Sequence, residues 1–449
     1  MSVLVRGSVT RTLFSMALPM LAGTFAMNAY NLTDTWFVAQ LGTLPLAAMG
    51  FTFPVVMLLT CVAGGIGTGV TTLVSHAIGR HDHPDAARLV THGMALTVAV
   101  TAVMSTAGYF LIDPVFAQLG AKAGILPLIG AYMRVWYIGA VTMTLPMLGN
   151  GILISMGDSR GASRFIILGT IINVILDPIM IFGYLGCPAM GIYGAALATV
   201  IAQAVSTVYL IYLLRVKHHL LVWRAAGLGD SLRRITGFAV PSVLSMLLMP
   251  VSAIIITRLL SGFGNEAVAA SGAAGRIEMF AFMIPMALGM SLTPFVSQNF
   301  GADRMDRVRE ARRVTTRFAL GYGGLIAVIF FLCAGRLASL FTVDPKVSSM
   351  LVSYIRIISF GYGMMEVHRY SGFFLTGMHK PVSATVLNVV RVLALLIPFS
   401  YLGAHFWGIT GIFGGRLATD IIVGCIGMVW VSRTLGLQNN YGENEVAAE

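Results

Sequence analysis

Apolar stretches of roughly 20 residues or more follow one another along the whole chain, each long enough to cross about 30 Å of hydrocarbon as a helix. In lipid the backbone must satisfy its own hydrogen bonds, so repeated runs of this length imply a helical bundle. The short alternating segments of a β-barrel are not found in the sequence. Only 10% of the 449 residues are charged and 57% are hydrophobic, too few charges to cover a soluble protein of this length. The expected fold is an all-α membrane protein of about twelve transmembrane helices. They fall near 13–40, 46–78, 88–112, 122–150, 161–186, 189–215, 235–262, 267–299, 313–336, 347–376, 381–404 and 408–434. The connections are short, so no soluble domain is expected. The basic segment Met1–Thr12 runs straight into the first span, which argues against a cleaved signal peptide.

The formal net charge of +11 raises the question of nucleic acid, and the placement of the basic residues answers it. They fall on alternate loops. Arg6 and Arg11 are followed by Arg80 and Arg88, Arg160 and Arg164, then Arg215, Lys217, Arg224, Arg233 and Arg234. Arg304, Arg307, Arg309, Arg312, Arg313, Lys380 and Arg433 continue the series, and the opposite loops hold little beyond Lys122, Arg336 and Lys346. By the positive-inside rule both termini are cytoplasmic, and the clusters are solvated loops that set topology. No nucleic-acid partner is expected. The four cysteines, Cys61, Cys187, Cys333 and Cys425, show no metal-binding spacing.

The chain is also written twice. Pro19 recurs as Pro241, Val74-Ser75 with Gly79 as Val296-Ser297 with Gly301, and Tyr132-x-Arg134 as Tyr354-x-Arg356, all 222 residues apart (79 to 301). Further on the spacing is 220, pairing Gly157 with Gly377, Ser163 with Ser383 and Pro178 with Pro398. The clearest match sets Gly191-Ile-Tyr-Gly-Ala-Ala-Leu-Ala-Thr199 against Gly411-Ile-Phe-Gly-Gly-Arg-Leu-Ala-Thr419. Six spans in each half, in the same order, predict two pseudo-symmetric six-helix lobes facing the same way, with a cavity between them. The expected division is a first lobe at 1–215, a basic cytoplasmic linker at 216–234 and a second lobe at 235–449.

The repeat makes its own exceptions visible. Asp34 in the first span and Asp177 in the fifth have Ile256 and Ile397 as counterparts. A carboxylate near the bilayer centre costs about 3 kcal/mol on insertion scales, so two confined to one half call for a purpose, the alternative being that each merely hydrogen-bonds a neighbouring helix. Asn173 and Asp177 share a helix face at i, i+4, and Pro178 cannot donate to the carbonyl of Val174. Tyr30 and Asn31 precede Asp34 by one helical turn, and Thr199 in the sixth span offers a hydroxyl. Such oxygens suit a hard cation such as Na⁺, and a carboxylate in apolar surroundings is equally a proton carrier.

These residues resemble the multidrug and toxic compound extrusion (MATE) transporters over nearly the whole chain. The resemblance rests on Asn31-x-x-Asp34-Thr35 followed by Leu41-Gly42, on Asn173-x-x-x-Asp177-Pro178, and on Gly-x-x-Gly-Ala-Ala-x-Ala-Thr199. It implies a monomeric bacterial inner-membrane antiporter, multi-pass in the lipid bilayer. Such a protein exports small organic substrates, often cationic or amphipathic, in exchange for H⁺ or Na⁺ and without a bound cofactor. Asp34, Asn173, Asp177 and Thr199 match the positions of the family's first-lobe cation site, with Tyr30 beside them. Some branches also carry acidic residues in the seventh and tenth spans. Here the seventh has none, and Glu366 in the tenth has Arg369 three residues on, so a second cation site and a buried ion pair are both open readings.

Met279, Met283, Met286 and Met290 form one helical stripe in the eighth span, with Met246 and Met249 in the seventh. Methionine suits a surface that must accept many shapes, so the stripe is a candidate wall of the substrate cavity; packing filler is the alternative. Gly65-xxx-Gly69 fits close helix contact better than a phosphate loop. Arg134 and Arg356 snorkel or pair within their lobes, His218 and His219 belong to a solvated loop, and Arg258 has no evident role. A lipid-linked precursor flippase of related architecture would want a cationic first span, where this chain has Asp34. A membrane enzyme would want an HExxH motif or a P-loop, neither of which occurs in the sequence.

Overall fold

A computed structural model describes residues 3–122, 124–222 and 226–446, so the loop residue Arg224 lies outside the described residues. Among these the chain is helical and contains no strand. In order come α1 (Val9–Gln40), α2 (Thr43–Gly79), α3 (His83–Phe110), α4 (Ile112–Gln118), α5 (Leu126–Ser155), α6 (Ser159–Phe182) and α7 (Gly191–Tyr212). There follow α8 (Leu228–Ser261), α9 (Asn265–Gly301), α10 (Met305–Ser339), α11 (Pro345–Ile358), α12 (Tyr362–Gly377), α13 (Pro381–Val389) and α14 (Ile397–Val446).

Among the described residues, ten helical stretches are long and apolar enough to cross a membrane. The last, Pro381–Gly436, carries the expected eleventh and twelfth spans in one run, and its backbone leaves helical geometry at Gly408 (φ 61°, ψ −142°). A positive φ with that ψ is open to glycine and to little else, which is how the chain reverses between the two spans. The expected tenth span is built from α11 and α12, joined by a 3₁₀ turn at Ser359–Gly361.

The chain divides into two compact units, Met1–Leu4 with Ser15–Val243, and Val5–Phe14 with Leu244–Glu449. In the first, α5 packs against α2, α3 and α7, and α6 against α7. Phe116, Ile129, Met133, Trp136, Ala140 and Ala196 form its core. A Cβ added at Gly65 would lie 2.9 Å from the Val243 nitrogen, and one at Gly69 3.0 Å from the Ile235 carbonyl. The two glycines thus serve backbone-to-backbone helix contact, as their spacing indicates. In the second unit α12 packs against α9, α10 and α14 around Tyr354, Ile358, Tyr362 and Phe413.

Several of the loop cations are not simply solvated. Arg234 pairs with Asp85 at 3.1 Å, and the buried Arg307 donates to Asn299 at 2.8 Å and to the Gly7 carbonyl at 2.6 Å. Arg258 is exposed in the last turn of α8, where a positive charge complements the helix dipole. Nor is His218 merely solvated. Asp158 caps α6 by accepting from Gly161 N at 3.0 Å, and it is held by Lys217 at 2.5 Å and His218 at 3.0 Å. Hydrogen bonding to His218 foremost, then to Lys217 and Gly161, keeps the Asp158 carboxyl well below the usual carboxylate range despite partial burial. The folded carboxyl is therefore the stronger acid. Its stabilisation is complete above the unfolded-state value of about 4, declines progressively below that, and is gone only when pH falls through the lower value of the folded carboxyl. Thermal unfolding of wild type and Asp158→Asn, compared at pH 7 and pH 3, is expected to show the larger gap at the higher pH and a narrower one at the lower. A gap that does not change with pH would leave this contact no electrostatic share.

Candidate cation site

Apolar neighbours force helix on the α1 and α6 segments, and the helix period then decides which polar side chains turn inward together. On α6, Asn173 and Asp177 are completely buried one turn apart, and the Asn173 amide donates to Asp177 Oδ1 at 3.2 Å. The same nitrogen donates to Thr199 Oγ1 on α7 at 3.3 Å. A further hydrogen bond joins Thr199 Oγ1 to the Tyr30 hydroxyl on α1 at 3.3 Å. Asp34, one turn beyond Tyr30, is 5% exposed and close enough to Asp177 for the two carboxyl charges to interact.

This assembly depends on how closely α7 lies on α6. A Cβ added to Gly194 would sit 2.4 Å from the Met180 carbonyl oxygen, inside any permitted contact. Only glycine allows that approach, and it brings the short side chain of Thr199 within reach of Asn173. Ser163 on α6 donates to the Pro19 carbonyl at 2.6 Å, fixing α1 against the same helix. The repeat marked both of these residues.

Three buried oxygens of the cluster, Asp34 Oδ1, Asp177 Oδ2 and Asn173 Oδ1, have no hydrogen-bond partner among the described residues. Buried polar atoms are ordinarily satisfied, so these oxygens on two helices are free to accept a proton or a cation. Two carboxylates and an amide oxygen with a hydroxyl beside them can hold a small hard cation, or can take up protons.

All five residues expected at the site are brought together: Tyr30, Asp34, Asn173, Asp177 and Thr199. Asn31 is exposed and takes no part. Tyr132 was marked only as a repeat residue, yet it is buried and shares its electrostatic surroundings with Asp34, Tyr30 and Asp177. Its recurrence as Tyr354 was the signal available. The methionines are elsewhere, in the second unit. Met246, Met249, Met279 and Met286 are exposed, and Met283 and Met290 are half-buried. Glu366, 1% exposed, pairs with Arg369 at 3.0 Å, in keeping with the ion-pair alternative.

The MatE family model matches residues 19–179 and again 241–402, the two halves of the repeat. The chain is 36% identical over 425 residues to a protein of Shewanella oneidensis named FAD transporter, covering 94% of each. It is 24% identical over 437 residues to the multidrug export protein MepA of Staphylococcus saprophyticus, covering 95% of this chain and 94% of that one. The crystal structure of the Vibrio cholerae MATE transporter VcmN in the bent form superposes with a TM-score of 0.92. That comparison has 30% sequence identity and covers 96% of this chain and 98% of the other.

Proposed function

This chain belongs to the MatE family of transporters, and on that premise we propose that it is a secondary active antiporter exporting small organic compounds in exchange for H⁺ or Na⁺. The observation that carries the proposal is the set of unpartnered buried oxygens on Asp34, Asp177 and Asn173. Cation arrival at the site, supported by Thr199 and Tyr30, rearranges the first lobe and releases substrate outward; the return step frees the cation inward. Gradient energy is transferred because cation and substrate favour different states of one two-state bundle. The protein works as a monomer in the inner membrane with both termini cytoplasmic, an orientation supported by the basic loops.

For the substrate, the Met279–Met283–Met286–Met290 stripe, with Met246 and Met249, supports a wall that adapts to amphipathic organic molecules. A second substrate reading, an anionic flavin dinucleotide, is favoured by the name of the 36%-identical relative. Everted vesicles or proteoliposomes distinguish the two. Accumulation of a fluorescent organic cation and of FAD is followed under an imposed proton gradient or an imposed sodium gradient. One of the gradients is expected to drive uptake of one class at several times the rate without a gradient. Replacing the four stripe methionines with Ile should narrow the set of compounds accepted. Uptake of neither class under either gradient would overturn the coupled-exporter reading in favour of a lipid-linked substrate.

A further inference from the structure

The second lobe carries a buried charge cluster of its own, on elements the repeat equates with those around the first-lobe site. Arg416 on α14 donates to Glu278 of α9, with Nη2 at 2.8 Å from Oε1 and 3.0 Å from Oε2, and to the Tyr354 hydroxyl. Tyr354 and Tyr362 in turn donate to Glu278 Oε1 at 3.0 and 3.3 Å. Asp420, fully buried, takes Arg391 at 3.2 Å and has Arg416 Nε 3.8 Å away. Two carboxylates are thus balanced by two guanidiniums.

The repeat shows what this cluster replaces. Tyr354 is the counterpart of Tyr132, and Thr419 that of Thr199. Arg416, Asp420, Arg391 and Glu278 stand where the first lobe has Ala196, Val200, Ile171 and Val56. Conversely, Asp34 and Asp177 stand opposite Ile256 and Ile397. Each lobe has therefore placed a pair of carboxylates beside the repeat's buried tyrosine. In the first lobe no basic side chain pairs with them among the described residues; Asp34 Oδ1 and Asp177 Oδ2 lack hydrogen-bond partners, as does Asp420 Oδ2 in the second lobe, but Asp420 Oδ2 has the Arg416 guanidinium 3.8 Å away. In the second, an arginine on the helix that also bears the repeat threonine is already bonded to that tyrosine and to one carboxylate.

We propose that Arg416 is a resident counter-cation: its guanidinium fills in the second lobe the place that the first lobe keeps for a transported cation. The inference rests on reading Asp34–Asp177 as the coupling site. Its consequence is that the second lobe holds a latent monocation site, closed by the protein's own side chain, and that ion coupling belongs to the first lobe alone. A guanidinium suits the position because its planar fork meets a carboxylate and a hydroxyl at once, and because it does not dissociate at working pH.

The test uses purified full-length protein carrying Asp34→Asn and Asp177→Asn, so that the first-lobe site cannot contribute and failure of its assignment is not felt. Radiolabelled methylguanidinium is the probe, matching the group removed. Adding Arg416→Ala is expected to raise binding roughly ten-fold over that background, because a buried carboxylate is left uncompensated. A further Glu278→Gln is expected to abolish it. No gain on Arg416→Ala, or a gain that survives Glu278→Gln, would overturn the proposal. Should the alanine variant not fold, Arg416→Gln supplies the second measurement, its thermal unfolding midpoint with and without Glu278→Gln. The stranded carboxylate predicts that removing Glu278's charge raises that midpoint; a further fall would overturn the counter-ion role and leave Arg416 a packing element.

Discussion

Asp34→Asn and Asp177→Asn are each expected to reduce the proposed gradient-driven export to near background while the protein still inserts and folds. Asparagine has nearly the shape of aspartate, so the helices keep their packing, and the Tyr30–Thr199–Asn173 hydrogen bonds do not involve Asp34 at all. What is lost is the ability to bear a negative charge. An amide cannot exchange a proton in this range, and it gives a hard cation a dipole where it had a full charge. Truncating one partner of a buried charge interaction costs about 3 kcal/mol, some hundred-fold in cation affinity. Export is expected to fall by a similar factor whenever the cation step is needed to complete the cycle. The measurement is initial export rate in proteoliposomes under the gradient that drives wild type, with reconstituted protein quantified. Wild-type rates in both variants would make the carboxylates structural and remove the mechanism. Insertion should become easier in both, because each substitution removes an intramembrane charge.

A larger loss of folded protein is expected at a residue with no chemistry of its own. At Gly194 even alanine would place its Cβ 2.4 Å from the Met180 carbonyl oxygen and 2.7 Å from its carbon, atoms of a helix backbone that cannot rotate aside. Forcing atoms into a packed interface costs about 1–3 kcal/mol where side chains can yield, and more where backbone must move. Gly194→Ala is therefore expected to lower the thermal midpoint in detergent by several degrees and to impair transport, and Gly194→Leu not to accumulate folded. The functional loss has a specific route. Thr199 lies on the same helix, and pushing α7 off α6 lengthens its 3.3 Å contact with Asn173. Gly50→Ala is the control, since nothing lies within 4 Å of the added Cβ and helix propensity favours the change. Equal effects at the two glycines would show that the α6–α7 approach does not set the site.

The site was legible to an unequal degree. Asn173 and Asp177 could be joined from spacing alone, because i, i+4 on an enforced helix is a contact fixed by local geometry. Asp34 and Asp177 were paired because the repeat offered Ile256 and Ile397 in their place. Asn31 sits as near to Asp34 in sequence as Tyr30 does, yet it is exposed while Tyr30 bonds to Thr199. One residue of helix turns the side chain by about 100°, and the rotation of α1 about its axis is not written in its own sequence. The second-lobe cluster was hidden for the same reason. Arg416 was visible within Gly-Gly-Arg-Leu-Ala-Thr419, but its partner Glu278 is 138 residues away. His218 looked like any loop histidine until the chain returned it to Asp158, 60 residues earlier.

By itself the sequence determined the helical membrane class, the doubled six-span plan and the placing of Asp34 and Asp177 opposite isoleucines in the repeat. These follow from the hydrocarbon thickness, from the obligation of a backbone in lipid to bond to itself, and from comparing the chain with its own repeat. The tertiary structure alone decided which faces of α1, α6 and α7 meet. It left Asp34 and Asp177 without a basic partner among the described residues and paired Glu278 with Arg416 and Asp420 with Arg391. Contacts between helices depend on how near their backbones come and how each is turned. Here residues such as Gly194, which contribute no side chain to the site, set those distances.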